Sequence, residues 1–314
     1  MNISVVIPLL NEEENIPILY NELKEALEPL GLMYELIFID DGSTDSSLAI
    51  LEELQLHNRR ICIISLRKNF GQTAAMSAGF DRAKGDIIVT MDADLQNDPA
   101  DIPSLLEEIN QGSDLVTGWR FERKDPFISR KLPSKIANKI ISYATGVHIH
   151  DYGCTLKAFK ADVIKSIKLY GEMHRFIPAI ASAMGVSIKE VKVNHRSRQF
   201  GTSKYGISRT LRVILDLITV KFLLSYGTRP IHVFGTIGFV CGTIGVLMAF
   251  VMTVQRQLYD MPMSDRPLLL LAILLMFVGV QFITIGLVAE MLVRTYHESQ
   301  AKPTYYIRKT TDCD

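Results

Sequence analysis

Two stretches without a single Asp, Glu, Lys or Arg, residues 231–254 and 267–289, constrain this chain most. At 1.5 Å per residue, helices of 24 and 23 residues reach about 35 Å, enough to cross a hydrocarbon layer of about 30 Å with some tilt. Soluble helices of that length keep a polar stripe. The two runs therefore predict a transmembrane hairpin, 231–293, closed by the short link 256–266. Basic residues set its orientation. Lys221, Arg229, Arg294, Lys302, Arg308 and Lys309 lie on the outer flanks, against Arg256 and Arg266 in the link. That excess places both termini, with the tail 294–314, in the cytoplasm of a multi-pass protein of a bacterial-type inner membrane. Gly235, Gly238, Gly242 and Gly245 give the first span a smooth face for contact within the hairpin or between copies in a homo-oligomer.

The rest of the chain carries the charge. With 34 Lys+Arg balancing 34 Asp+Glu and 48% hydrophobic residues, a disordered chain is excluded, and there is no basic surplus for nucleic acid. The sequence opens directly on the strand-like Ile3-Ser4-Val5-Val6-Ile7, so no signal peptide is expected. Cys62, Cys154, Cys241 and Cys313 are spaced too widely for a zinc or redox pair. A reducing compartment without a disulfide framework is expected.

Residues 1–120 alternate apolar runs at 3–10, 35–40, 60–66, 86–91 and 114–118 with helical patterns near 13–29, 44–56, 71–83 and 99–110. Ser43-Thr44-Asp45 and Asp98-Pro99 supply helix-start signals. Such alternation predicts βαβ units and a parallel sheet covered on both faces. In such sheets ligands bind beyond the carboxyl ends of the strands. The residues there are mostly acidic: Asn11-Glu12-Glu13-Glu14, Asp40-Asp41-Gly42 and Asp92-Ala93-Asp94-Leu95-Gln96, with Arg67-Lys68-Asn69 after the third run. G-x-G-x-x-G and the P-loop are both absent. An acidic edge without a glycine cradle can hold a diphosphate through a divalent cation. Alternate residues of an extended segment share a face, so Asp92, Asp94 and Gln96 would present hard oxygens to one Mg²⁺ or Mn²⁺.

These residues resemble a known family. Ile7-Pro8-Leu9-Leu10-Asn11-Glu12-Glu13, Ile39-Asp40-Asp41-Gly42-Ser43-Thr44-Asp45 and Met91-Asp92-Ala93-Asp94-Leu95-Gln96-Asn97-Asp98-Pro99 are similar to family 2 glycosyltransferases of the GT-A fold. Gly153-Cys154-Thr155-Leu156-Lys157-Ala158-Phe159, His174-Arg175-Phe176-Ile177-Pro178 and Gly201-Thr202-Ser203-Lys204-Tyr205 resemble the polyprenyl-phosphate hexosyltransferases, and the terminal spans match their bactoprenol branch.

The resemblance implies an α/β catalytic domain with a Rossmann-like, mostly parallel sheet, cytoplasmic and spanning 1–206. It places Pro8, Asn11, Glu12, Asp41 and Asp92 around the nucleoside and ribose, and makes Asp94 and Gln96, with Asp92, ligands of a metal bridging the diphosphate. Arg198 and Lys204 would face the diphosphate or acceptor phosphate, and Arg130 and Ser134, with Arg120 nearby, the acceptor phosphate. The implied reaction is an inverting, non-processive transfer of a hexose from a nucleotide sugar to a polyprenyl phosphate. UDP-glucose comes first, ahead of GDP-mannose and UDP-N-acetylhexosamine. The acceptor phosphate, with a second pKa near ~6, is already ionised and needs no strong base. Asp151 keeps two readings, a group beside the anomeric carbon or a loop carboxylate that orients an Arg or Lys.

Basic residues outnumber acidic ones seven to two over 120–139 and seven to one over 189–212. Each stretch adjoins an apolar helical stripe: Ile136, Ile140, Ile141 and Ala144, then Leu211, Ile214, Leu215 and Ile218, the second within a juxtamembrane helix 207–230. Such helices lie in the membrane interface. His148 and His150 read as a loop pair, and Trp119 as either a sugar-stacking or a core aromatic. A processive synthase is disfavoured because no Arg-Trp pair is present. A non-catalytic nucleotide-sugar sensor is the alternative from another class. A flippase for the lipid product is an expected partner.

Overall fold

The computed structural model describes residues 2–121, 138–139, 141–143, 145–200, 215–222 and 304–311, together with single helical positions between 258 and 295. The chain divides into two units, Met1–Val220 with Pro303–Asp314, and Lys221–Lys302. Among the described residues no helix is long and apolar enough to cross a membrane. The expected span 231–254 lies outside them, as does 267–289 apart from isolated helical positions.

The first unit is built on one eight-stranded sheet, ordered β7-β5-β6-β4-β1-β2-β3-β8. Its strands are β1 (Asn2–Leu9), β2 (Met33–Asp40), β3 (Ile61–Leu66), β4 (Ile87–Thr90), β5 (Leu115–Arg120), β6 (Lys157–Lys160), β7 (Ile188–Val193) and β8 (Ile307–Thr311). The helices are α1 (Ile16–Leu27), α2 (Ser47–His57), α3 (Gln72–Arg82), α4 (Ile102–Asn110), α5 (Ala161–Ser166) and α6 (Ile177–Ala183). The five strands and four helices expected within 1–120 are all present.

Strands β3, β2, β1 and β4 form a parallel block. They are buried almost throughout, as strands covered on both faces must be. On one face Val5, Ile7, Leu36, Phe38, Ile63 and Val89 join Ile16, Leu19, Leu23 and Leu27 of α1 and Ile102, Leu105 and Ile109 of α4. Each such side chain contributes roughly 1.5–3 kcal/mol of transfer free energy. On the other face α3 packs so closely that a Cβ on Gly79 would lie 2.4 Å from a Val6 methyl.

The sheet departs from all-parallel pairing on both sides. Strand β6 runs antiparallel between β4 and β5, and β8 runs antiparallel along β3. The second of these was invisible in the sequence, where 294–314 reads as a tail. Most of β8 is exposed, so it carries no apolar alternation, and its Arg308 and Lys309 are typical of an edge strand. A second departure concerns the cysteines: Cys62 is disulfide-bonded, whereas Cys154 is free and buried.

Candidate active site at the carboxyl edge of the sheet

The loops after β1, β2 and β3 are tied to one another by side chains reaching backbone amides. Asn11 holds a left-handed φ of 52°, which asparagine tolerates. Its Oδ1 accepts from the Thr44 amide at 2.8 Å, and its own amide donates to Ser43 Oγ. The Glu12 amide donates to Ser47 Oγ at 2.9 Å, while its carboxylate accepts from Asn15 Nδ2. Pro8 lies buried within β1, opposite Ile39. Asp41 accepts from the amides of Phe70 at 2.7 Å and Gly71 at 2.9 Å. Burial, with the charge of Asp40 adding, raises its carboxyl above the usual range against the pull of those two amides.

Gly42 is what lets these loops meet. Its φ is +79°, and a Cβ there would lie 2.7 Å from the Lys68 carbonyl carbon and 2.8 Å from the Asn69 nitrogen. Both are backbone atoms that cannot swing aside. Gly42→Ala is expected to cost about 2 kcal/mol from the left-handed backbone and the clash. Thermal denaturation should read this as a fall in midpoint of about 4–8 °C.

The acid-rich turn begins after β4. Its carboxylates are not presented by an extended strand, as the spacing predicted. The chain bends at 93–95, and Leu95 takes a φ of 59°, costly for a branched residue. The cause lies underneath: Ala93 and Leu95 are both drawn into the core. Asp92, Asp94 and Gln96 are thereby left on the site side. Asp92 Oδ1 accepts from Gln72 Nε2 at 2.7 Å. Burial first, then the negative charge of Asp94, push the Asp92 carboxyl up to about 6. Asp94 is buried, with Oδ2 accepting from Arg198 Nη2 at 2.5 Å and Oδ1 from the Gln96 amide at 3.1 Å. The two carboxylates are near enough for the charge of Asp94 to raise the carboxyl of Asp92. With the Gln96 amide oxygen, the donor set is hard and fits Mg²⁺ or Mn²⁺.

The segment carrying Arg198 is zipped onto this turn. The Arg196 amide donates to the Gln96 carbonyl at 2.9 Å, and His195 bridges Asn97. The Arg196 guanidinium spans Glu22 at 2.6 Å and Asp98 at 2.7 Å. Asp98 also caps the turn before α4, accepting from the Ala100 amide.

On the β5 side, Arg120 makes a two-pronged pair with Asp151, Nε to Oδ2 at 2.6 Å and Nη2 to Oδ1 at 2.9 Å. Asp151 is buried. Of its two readings, the carboxylate that orients an arginine is the one this geometry displays. Lys157 begins β6 opposite Thr90 and Thr117 and donates to the Cys154 carbonyl. It is buried, which depresses its ammonium, while Cys154, Asp151 and Asp92 act to restore it.

Trp119 is neither a core residue nor an open platform. His150 stacks on it at 4.1 Å and 14°, and the Phe121 ring meets it edge-on at 5.0 Å. His150 Nδ1 also pairs with Glu190 at 2.8 Å, so His150 has structural work.

The described residues thus gather Asp92, Asp94, Gln96 and Arg198 at one turn, Arg120 and Asp151 beside β5, and Pro8, Asn11, Glu12 and Asp41 along the β1–β2 edge. Arg130, Ser134 and Lys204 lie outside the described residues. Sequence reasoning gave no role to Gln72, Arg196 or Lys157. Lys157 had a signal, since a lysine inside the apolar run Cys154–Phe159 must find a buried partner.

Residues 4–168 match the family model "Glycosyl transferase family 2". Over 316 residues the chain is 44% identical to the dodecaprenyl-phosphate galacturonate synthase of Rhizobium johnstonii, covering 99% of this chain and 94% of that protein. It is 37% identical to the undecaprenyl-phosphate 4-deoxy-4-formamido-L-arabinose transferase of Proteus mirabilis, covering 98% and 93%. Among solved structures, glucosyl-3-phosphoglycerate synthase from Mycobacterium tuberculosis in complex with Mn²⁺, UDP and phosphoglyceric acid superposes with a TM-score of 0.55 at 19% identity, over 71% of this chain and 78% of that one. At that identity the likeness establishes the fold, a GT-A-like α/β sheet.

Proposed function

We propose that this chain, which belongs to glycosyl transferase family 2, moves a sugar from a nucleoside diphosphate donor to a polyprenyl phosphate at a membrane surface. The observation that carries this reading is the reach of the similarity. Identity of 44% extends over 99% of the chain, so it takes in the Arg120–Lys139 and Lys189–Arg212 segments as well as the donor half.

In the transfer, an oxygen of the acceptor phosphate attacks the anomeric carbon. The bond from that carbon to the donor diphosphate breaks, and its electron pair leaves on the nucleoside diphosphate. One in-line displacement inverts the anomeric centre. Asp92, Asp94 and Gln96 would hold a Mg²⁺ or Mn²⁺ that stabilises the departing diphosphate as a Lewis acid. Arg198, at the same turn, adds a preorganised positive charge. An ionised acceptor phosphate needs positioning and relief from repulsion rather than a base. Arg120 suits that work, held in place by Asp151, with Arg130, Ser134 and Lys204 assigned to the same phosphates from sequence. Asn11, Glu12, Asp41 and Pro8 border the nucleoside.

For the donor sugar we place galacturonate first, ahead of glucose, on the strength of the Rhizobium johnstonii relative. A hairpin of two spans anchors the protein. The two charge-free runs, 231–254 and 267–289, support it by their length, and the sheet-containing unit takes in residues on both sides of them. The helix over 215–222 supports an interfacial segment, since Leu215 and Ile218 are exposed while Leu217 and Val220 are buried. Assembly into a homo-oligomer and delivery of the product to a flippase belong to the same reading.

The test is a panel of labelled UDP-galacturonate, UDP-glucose and GDP-mannose offered with undecaprenyl phosphate, followed by solvent extraction. Label should enter the lipid fraction only with Mg²⁺ or Mn²⁺, fastest from the uronate donor. Binding of nucleotide with no lipid labelled by any donor would turn the reading to the non-catalytic sensor.

A further inference from the structure

We propose that the segment 304–311 is part of the donor site, with Tyr306 as a positioning residue for the loop that borders the nucleoside. The inference rests on the reading above, in which the Asp41 edge holds that nucleoside.

The loop after β3 is clamped from two sides. From the inside, Asp41 accepts the amides of Phe70 and Gly71, and Gly42 lies against the backbone of Lys68 and Asn69. From the outside, Tyr306 supplies two contacts. Its carbonyl accepts from the Arg67 amide at 3.0 Å, carrying the β3–β8 pairing past the end of β3 into the loop. Its ring packs on Phe70, with centroids 6.0 Å apart and planes at 46°. The same loop residue, Phe70, thus gives its amide to Asp41 and its ring to Tyr306.

The tail is fastened well enough to act as a wall. Tyr305 is buried, and its hydroxyl donates to Asp81 on α3 at 2.8 Å. Burial and the Asp81 carboxylate raise the Tyr305 phenol, so it remains a donor throughout the working pH range. Lys309 pairs with Glu52 on α2 at 2.7 Å. Tyr306 itself is 61% exposed, so its ring contributes little to the core. What it covers is the outer side of the donor loop. Removing the ring should let the loop open and should weaken the nucleoside contacts selectively, leaving the acceptor side unaffected.

The experiment uses the full chain in detergent. UDP and GDP are titrated by calorimetry, and donor and lipid KM are measured beside kcat. Tyr306→Ala should weaken nucleotide binding and raise donor KM by roughly threefold to tenfold, with kcat and lipid KM within twofold of the parent. Tyr306→Phe, which keeps the ring, should restore donor affinity. Lys24→Ala, which removes an exposed ion pair on α1 outside this segment, should not change it. If Tyr306→Ala does not fold, Tyr306→Leu takes its place with the same expectation. Parent-like nucleotide affinity in the ring-less variant overturns the inference, as does an equal loss in Lys24→Ala or an effect confined to the lipid. A parent chain that binds neither nucleotide overturns the donor-site reading itself, a distinguishable result.

Discussion

Replacing Asp94 with alanine is expected to reduce kcat for lipid glycosylation by about a thousandfold while the protein remains folded. Asp94 is buried and accepts from Arg198 at 2.5 Å and from the Gln96 amide at 3.1 Å. On the proposed reading, its loss removes one of two carboxylates assigned to the cation and releases the Arg198 guanidinium assigned to the diphosphate. A catalytic metal supplies several kcal/mol of transition-state stabilisation, and each 1.36 kcal/mol is tenfold in rate. Asp94→Asn separates charge from shape, because it keeps the volume and the acceptor for Gln96. It should lose nearly as much as the alanine variant, since a neutral amide oxygen lacks the negative charge that a carboxylate sets against a divalent cation. Initial rates over a Mn²⁺ titration, with thermal midpoints read alongside, distinguish lost catalysis from lost folding. Parent-like rates in either variant would move the metal away from this turn.

The parts of the molecule that were legible in the sequence are those in which local pattern and global fold agree. The runs that became β1 to β5 are apolar because both faces of the sheet are covered, and their polar termini mark the carboxyl edge. Asp92, Asp94 and Gln96 were singled out for that reason. The bend that presents them was not, because a left-handed Leu95 is a tertiary effect: the core fixes its side chain and the backbone yields. The pairing of Arg120 with Asp151 spans 31 residues, and that of Arg198 with Asp94 spans 104. Charge type alone names such residues as cations near phosphates without saying which carboxylate holds each one. Strand β8 was hidden for a different reason. An exposed edge strand needs no apolar face, so Ile307–Thr311 reads as tail until its partner β3 is in place.

The second large effect is a metal-dependent stability that changes with pH. The Asp92 carboxyl is raised from 3.8 to about 6, by burial first and by the Asp94 charge second. A carboxyl that binds its proton more tightly when folded stabilises the protein fully below its unfolded pKa of 3.8. That contribution is lost as pH rises through 6. The shift of about two units corresponds to at most about 3 kcal/mol. Asp41 and Asp101 are also raised and act in the same sense. Asp45, Asp98 and Asp114 are lowered, so their contributions disappear only in more acidic solution. Roughly half of that contribution has already gone by pH 5, so without metal the thermal midpoint should fall between pH 5 and 7 by about 3–5 °C for a unit of this size. On the proposed reading a divalent cation would take the place of the proton. Mn²⁺ should raise the midpoint strongly at pH 7.5 and little at pH 5, where protons compete for the same oxygens. Asp92→Asn has no proton to lose there, so its metal-free midpoint should be flatter across that interval and its response to Mn²⁺ smaller. Scanning fluorimetry of the full chain with Mn²⁺ or EDTA from pH 5 to 8 reads all of these. A Mn²⁺ increment of the same size at every pH would show that the cation binds without displacing the Asp92 proton, and the acid turn would then cease to be its site.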